Sequence, residues 1–542
     1  MTLTRKPKAS SFFRFLLPAL GAPLFWILAF PLGSLPGIPI FAFFALALLY
    51  VAGKHNKLGL TILVFSCTGL LSTFVGASWL ASIHVAALLL ATLYKIFWFA
   101  LAGLAIGFQL RLRPKALRVI AFALLWVLFD AANHASAWSF PYLCLPYSFA
   151  GSRAGLALAG LGSLYSISFT LALSAGTLAE LAESLPCVKG RSRLAVFAGL
   201  FGILCFIALF VPGQNKAIKA TETEDRDKLL SVALIQSNHY AFEPSFRDYE
   251  LLFEKLSRLT TKALAEKPDL VVWHETAIIP PVLWYQQHFG MAESYQYSQR
   301  VLDYIGNLPV PLLTGMTWID LDDKTRTREY NAAVLFSPES EPAVYKKMRL
   351  VPFAEYFPLT KELPGLTRAL FKLFGPLRSP GTEPTTFSVK GLSFAAPICF
   401  EDSYPSVFRK FGKVSAYIVI TEDSWSRSLA MKRQHLAMSR LRAAETGAYV
   451  LRASNSGISA LIGPDGSLLA ELPPEEEGVL VARIPIGKNA KHSAWFVFLP
   501  LAALGFALLL ALHLVLESRI DKKGKLHHTG IHTKQGWRSR AR

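Results

Sequence analysis

Two kinds of hydrophobic pattern divide this chain. Up to about residue 213, and again over 493–516, apolar residues run almost without interruption; between them, short β-branched runs alternate with helical stretches. The first kind predicts helices of bilayer-spanning length. Seven such spans are read at about 12–30, 36–52, 58–80, 84–109, 116–138, 155–180 and 194–212, with an eighth at 493–516. A stretch carrying Pro31, Gly33, Pro36 and Gly37 separates the first two. The second kind predicts strands at 229–237, 269–275, 311–319, 330–338, 392–400, 416–423 and 478–486, and helices at 245–265 and 429–446. Ser245 is the expected N-cap of the first helix. Residues 449–472 read as a hairpin turning at Pro464-Asp465-Gly466. Strands and helices in this mixed order imply a layered α/β domain.

Composition agrees with a membrane protein: 52% of residues are hydrophobic and only 17% charged, with a mean hydropathy of +0.37. The net charge of +19 does not call for nucleic acid, because the basic clusters border apolar spans. They lie at Arg5, Lys6 and Lys8, at Lys54 and Lys57, at Arg111, Arg113, Lys115 and Arg118, at Lys189, Arg191 and Arg193, and in the tail from Arg519. The loops after spans one and three carry no Lys or Arg, and the loop after span five carries only Arg153. This positive-inside pattern puts both termini in the cytoplasm and residues between spans seven and eight outside. A cleaved signal peptide is the rival reading of residues 1–30; no small-residue cleavage site follows it and further spans do. The expected organisation is a seven-span domain (1–213), an outer catalytic domain (214–492), a closing membrane helix (493–516) and a basic cytoplasmic tail (517–542). Lys95 and Asp130 fall inside spans at similar depth, where they are placed to pair.

Candidate chemistry centres on Cys399, the lone cysteine of the outer domain; Cys67, Cys144, Cys187 and Cys205 lie in or beside spans. A thiol on a strand-to-helix turn is expected to be exposed, with backbone N–H groups at hand for an oxyanion. An inert buried thiol is the alternative. Two other charges, Glu275 and Lys347, end apolar runs, a placement costly unless a site uses it. Each taken singly is also compatible with a solvated strand end.

Together the segments WHETAIIP (273–280), YKKMRLVPFAEYFP (345–358) and PICFED (397–402) resemble the three signature segments of the nitrilase, or carbon–nitrogen hydrolase, superfamily. With spans on both sides, the chain is similar over nearly its whole length to the apolipoprotein N-acyltransferase family. VALIQSN (232–238), YNAAVLF (330–336), FPYLCLPYSFAG (140–151) and residues 440–466 carry the resemblance further. It implies an αββα sandwich and ping-pong acyl transfer, with Glu275 as general base, Lys347 as oxyanion stabiliser and Cys399 as nucleophile. Lys347, not Lys346, keeps the family spacing. Glu355, Phe400, Glu401 and Trp425 fall at supporting or substrate-binding positions. The implied donor is a phospholipid, phosphatidylethanolamine, cleaved at its sn-1 ester; the acceptor is the N-terminal diacylglyceryl-cysteine of an apolipoprotein. No cofactor or metal is required, and the protein is expected to act as a monomer in the bacterial inner membrane with its catalytic domain in the periplasm. A membrane-tethered nitrilase-type amidase is the rival enzyme, and a non-catalytic lipoprotein-binding or transport protein the rival of another class.

The chain departs from the family over TEDSWSRS (421–428): Trp425 is kept, but Glu422 stands where Asn is usual and Ser426 where Phe is usual. Phe400 stands where Tyr is frequent. Apolar segments at 280–289 and 357–380 are expected to reach into the outer leaflet. His274, next to Glu275, is expected on the opposite strand face, and His527, His528 and His532 in a disordered tail.

Overall fold

The computed structural model describes residues 9–110, 115–184, 229–240, 245–288, 293–357 apart from 325, 327 and 339, then 365, 377–486, 500 and 504. Among the described residues, seven helices precede the sheets: α1 (Ala9–Leu28), α2 (Ile40–His55), α3 (Leu58–Gly76), α4 (Val85–Gln109), α5 (Lys115–Ala135), α6 (Arg153–Gly162) and α7 (Leu164–Ser184). Four stretches among the described residues are long and apolar enough to cross a membrane: Leu58–Gly76, Val85–Gln109, Leu117–Ala135 and Leu164–Glu183. The stretches Phe15–Leu28 and Ile40–His55 are shorter apolar helices. Leu63, Phe74, Leu93, Phe97 and Phe108 project outward from α3 and α4, as helices need when their solvent is hydrocarbon.

The span expected at 155–180 is not one helix. Ser163 breaks it, with φ +76°, and α6 buries Leu156 and Ala159 beside the domain that follows the helices. Glu445 then caps the start of α7, accepting from the Leu164 N–H at 2.7 Å and the Ser163 hydroxyl at 2.8 Å. The apolar run hid this break because α6 packs on protein with the same residue types that face lipid. The spans expected at 194–212 and 493–516 lie outside the described residues. Lys95 and Asp130 form no ion pair: Lys95 Nζ donates to Cys144 Sγ at 3.8 Å, and Asp130 accepts from the Ser168 hydroxyl at 2.6 Å. Part of the basic excess ties helices together, since Lys54 of α2 and Arg118 of α5 both pair with Glu180 of α7.

Beyond the helices stand two six-stranded sheets. One runs β12-β1-β2-β3-β4-β5 and the other β11-β10-β9-β8-β7-β6. The first sheet holds β1 (Leu229–Gln236), β2 (Leu270–Val272), β3 (Leu312–Trp318), β4 (Tyr330–Phe336), β5 (Ala343–Lys346) and β12 (Gly478–Pro485). The second holds β6 (Thr386–Val389), β7 (Leu392–Ala395), β8 (Ala416–Thr421), β9 (Tyr449–Ser454), β10 (Ala460–Ile462) and β11 (Leu468–Glu471). Strand alternation sorts the first sheet's side chains. Leu230, Val232 and Leu234 share a core with Phe394, Ile418 and Val450 of the second sheet. Ala233 and Ile235 pack instead with Leu256 and Leu259 of α8 (Phe246–Leu264) and Val301 of α10 (Glu293–Gly306). The outer face of the second sheet is covered by α12 (Leu429–Thr446). The layers are therefore helix, sheet, sheet, helix.

Ser245 caps α8 in a capping box with Asp248. The turn at Pro464-Asp465-Gly466 joins β10 to β11, but β9 adds a further antiparallel strand, so residues 449–472 form a three-stranded meander. The segment 280–289 is not a lipid-dipping arm: it forms the short helix α9 (Val282–His288), buries Val282 and Trp284, and ties the Trp284 indole to the Asp323 carbonyl at 2.9 Å. Most of 357–380 lies outside the described residues.

Candidate active site

Local backbone choices bring the site together. Glu275 follows the end of β2 and precedes Thr276, which takes φ +52°. That bend is accommodated by Gly315 on β3, where a Cβ would sit 2.5 Å from Glu275 Cα. Lys347 directly follows β5. Its Nζ donates to Glu275 Oε1 and to Glu355 Oε1, each at 3.0 Å. Asn331 of β4 donates to the same two oxygens at 2.7 and 2.8 Å. Glu355 Oε2 accepts from the Val351 N–H at 2.7 Å, closing the loop that carries it. Lys346 turns away to Asp320 at 2.6 Å, so the pleat separates the two lysines.

Cys399 opens a single turn of 3-10 helix, Cys399–Ser403, with φ +51°. Non-glycine residues in this region carry backbone strain that their surroundings must offset. The thiol is not exposed as the turn suggested; only 8% of Cys399 is accessible, and it belongs to the core that both sheets share. Glu401 ties this turn to the lysine segment. It accepts from Ile398 N–H at 2.8 Å, from Met348 and Arg349 N–H at 2.8 and 2.9 Å, and from Tyr345 Oη at 2.8 Å. One carboxylate thus fixes the residue before the thiol against the two residues after Lys347.

Charge in this buried site is strongly coupled. Burial would lower Lys347, but the Glu275 and Glu355 carboxylates outweigh it and hold the ammonium well above its ordinary value. Burial would raise Glu355, yet Lys347 and Asn331 keep it below its ordinary value. Burial and then Glu275 push the Cys399 thiol well up, against Lys347. The resting site therefore holds a neutral thiol and a cationic lysine beside the Glu355 carboxylate. Burial also raises Glu401 to about 7.

A second buried charge set, with no role at the sequence level, lies behind Cys399. Arg452 of β9 donates to Asp402 at 2.8 Å and to Asp423 at 3.0 Å. His435 of α12 places Nδ1 2.8 Å from Asp423 and Nε2 3.2 Å from Asp402. Atoms of Cys399, Asp423 and His435 lie within 4.8 Å of one another, a set with metal-ligand chemistry. The donors do not suit a cation: Arg452 and His435 already neutralise both carboxylates. Burial and Arg452 would lower His435, but Asp402 and Asp423 raise it to about 9. An imidazolium between two carboxylates has no lone pair with which to take the thiol's proton.

The supporting positions reach the membrane-side helices. Phe400 stacks on Tyr142, with ring centroids 6.4 Å apart, and Trp425 packs on Trp79 at 5.4 Å. Ser426 is buried and lies 3.4 Å from the Ser82 hydroxyl. Tyr147 Oη donates to Ser403 O at 2.9 Å, Tyr404 Oη to Ser139 O at 3.3 Å and Gln434 Nε2 to Gly76 O at 3.3 Å. Arg349 donates to Ser136 O. The loops after α3 and α5 therefore seat the Cys399 side of the domain, and both lie on its side of the helices.

Glu422 contributes through its backbone: its N–H donates to Glu275 Oε2 at 2.9 Å. His274 is buried and turned away, bonded to the Ser237 hydroxyl at 2.8 Å; burial lowers it to about 4. Asn331, Asp402, Asp423, His435, Arg452 and Asn455 were not singled out by sequence reasoning. Asn331, Asp402, Arg452 and Asn455 sit inside stretches that carried the resemblance, which was the only signal for them.

Two families match this chain. That described as Carbon-nitrogen hydrolase matches residues 231–490, and that described as Apolipoprotein N-acyltransferase N-terminal domain matches residues 22–177. Among curated relatives, "Apolipoprotein N-acyltransferase 1" of Treponema denticola is 30% identical over 505 residues, 87% of this chain and 90% of that one. "Apolipoprotein N-acyltransferase" of Azotobacter vinelandii is 31% identical over 494 residues, covering 86% and 89%. That of Pseudomonas putida is 32% identical over 462 residues, covering 81% and 83%.

Proposed function

The chain belongs to the apolipoprotein N-acyltransferase family, and from that premise we propose a two-step acyl transfer through Cys399. Glu275 takes the proton of the Cys399 thiol, and the thiolate attacks the sn-1 ester of a phospholipid, phosphatidylethanolamine. Lys347 and the Phe400 N–H meet the tetrahedral oxyanion. The lysophospholipid alkoxide takes the proton from Glu275 and leaves, and the acyl group remains on Cys399 as a thioester. The α-amine of a diacylglyceryl-cysteine then attacks. The C–N bond forms, the C–S bond breaks, and Glu275 passes a proton from the amine to the departing sulfur. This is the last step of lipoprotein maturation.

One observation carries the reading: Lys347 is locked between Glu275 and Glu355 beside a buried, strained cysteine in a domain seated on membrane helices. Glu355 holds the ammonium in place while Glu275 exchanges protons. Burial keeps water from the thioester. We place the catalytic domain (214–492) in the periplasm of a monomer with eight crossings and cytoplasmic termini. The basic clusters bordering the spans support this, as do the loops after α3 and α5 meeting the domain on one side.

The test is to incubate the purified protein with phosphatidylethanolamine and follow the Cys399 peptide by mass spectrometry, then add a diacylated lipopeptide. An acyl adduct on Cys399 that moves to the lipopeptide amine is expected. No adduct refutes the mechanism, and transfer to water alone indicates a hydrolase. Cys399→Ser is expected to abolish transfer.

A further inference from the structure

Glu422 stands where the family resemblance implies a neutral amide, and no cation among the described residues is bonded to it. Its carboxylate accepts from Asn455 Nδ2 at 2.8 Å and from the Ser424 N–H at 2.8 Å; both are neutral donors. The one basic group within ion-pair distance among the described residues is His274, whose Nδ1 lies 3.9 Å away. That nitrogen is already bonded to the Glu275 carbonyl at 2.8 Å. Thr276 Oγ1 is 3.4 Å from Oε2 but makes its shorter bond, 2.8 Å, to Glu275 O. Oε2 therefore keeps acceptor capacity. A largely buried carboxylate with no cation is costly, and an amide would make the same neutral contacts without that cost.

The carboxylate lines a cavity of about 310 Å³. Tyr240, Tyr249 and Trp425 supply aromatic walls, and Asp248 a second carboxylate. Two residues of its lining, Tyr240 and His239, bury Oη and Nε2 without a hydrogen-bond partner among the described residues, so polar atoms beside the cavity are left unused by the fold. A cation nearby, Arg427, covers the Tyr240 ring at 5.0 Å and does not pair with Glu422. The cavity opens beside the base, since the Glu422 N–H is bonded to Glu275. Acid, aromatic rings and an unpaired hydroxyl together suit a small cation.

We propose that Glu422 and this cavity bind a primary ammonium group carried by a substrate, with Oε2 accepting its N–H and the Tyr240 hydroxyl completing the contact. The assignment rests on the acyl-transfer reading above. Two groups share this chemistry: the α-ammonium of the acceptor peptide and the headgroup ammonium of an ethanolamine phospholipid. Losing one charge-assisted hydrogen bond in a buried site weakens binding about tenfold or more.

The test uses the full-length protein and Glu422→Gln, which keeps shape and removes charge, with Tyr240→Phe alongside. Two quantities are read: KM for a diacylated lipopeptide bearing a free N-terminal amine, and the ratio of Cys399 adduct formed from phosphatidylethanolamine to that from phosphatidylglycerol with the same acyl chains. A KM raised about tenfold at constant donor ratio assigns the ammonium to the acceptor. A donor ratio that falls about tenfold at constant KM assigns it to the headgroup. Either result supports the site. Neither quantity moving, in a variant that still forms adduct, overturns it. If Glu422→Gln forms no adduct, Tyr240→Phe decides: a shift of about threefold in either quantity supports the site, and no shift overturns it. A wild-type protein that forms no adduct refutes the acyl-transfer reading instead.

Discussion

Cys399, His435 and Asp423 have the outline of a cysteine–histidine–aspartate triad, and replacing His435 separates that outline from the mechanism proposed here. In His435→Gln, Asp402 and Asp423 keep only Arg452 as a cation, in a cluster where all four side chains are essentially inaccessible. The imidazole's rise from 6.5 to about 9 corresponds to roughly 3 kcal/mol, at about 1.4 kcal/mol for each tenfold change in proton affinity. Because the folded state holds this proton more tightly, the stabilisation is complete below about pH 6.5. It is lost as pH rises through about 9. For a domain of this size that amounts to roughly 6–12 °C in Tm. Glu401 and Glu422, both raised to about 7 by burial, also lose stability as pH rises from about 4.5 to 7, but equally in both proteins. Thermal unfolding in detergent between pH 6 and 9.5 should therefore show a wild-type Tm falling more steeply than that of His435→Gln, with the variant lower throughout the acidic half. Cys399 adduct formation should survive in His435→Gln below its Tm and vanish in Glu275→Gln. Adduct lost in His435→Gln at wild-type Tm, or retained at wild-type rate in Glu275→Gln, would refute the assignment of Glu275 as base.

Other substitutions probe single contacts. Lys347→Met should abolish adduct formation while Lys346→Met, which loses the Asp320 pair and the contact over the Tyr330 ring, leaves it within about twofold; equal losses in a single-turnover assay would contradict the roles given to the two lysines. Asn331→Leu removes the donor shared by Glu275 and Glu355, and the acylation rate should fall about 10- to 100-fold, measured from the time course of adduct. Gly315→Ala drives a methyl group into the Glu275 backbone, which should lower stability by about 1–3 kcal/mol and slow acylation together; denaturant midpoints and adduct rates check both. Tyr345→Phe removes one of the donors holding Glu401 and should cost about 1 kcal/mol, whereas Glu401→Ala, which frees the Cys399 turn from the lysine segment, should also eliminate the adduct.

Much of the architecture was legible locally. Bilayer-length apolar runs marked α3, α4 and α5 because lipid imposes length and composition on a helix without reference to its neighbours. The strands were legible because burial on both faces leaves continuous β-branched runs such as LVV at β2 and AYIVIT at β8. Ser245 marked the start of α8 because capping is a contact between near neighbours, and the structure adds Asp248 as its partner. Local rules failed where the partner is remote. The break at Ser163 depends on Glu445, and the packing of α9 depends on the Asp323 loop. The short strand β6 takes its order from β7.

The chemistry divides the same way. By itself, the sequence marked Glu275, Lys347 and Cys399 as reactive residue types at the ends of apolar runs, which is a local feature, and the choice of Lys347 over Lys346 came from the spacing that the family resemblance implies. Only the tertiary structure decided that Cys399 is buried, that Asn331 and Glu401 hold the three segments together, and that His435 is an imidazolium between Asp402 and Asp423. Those outcomes depend on distances between strands of two sheets and on the low dielectric between them, and neither is encoded within any one segment.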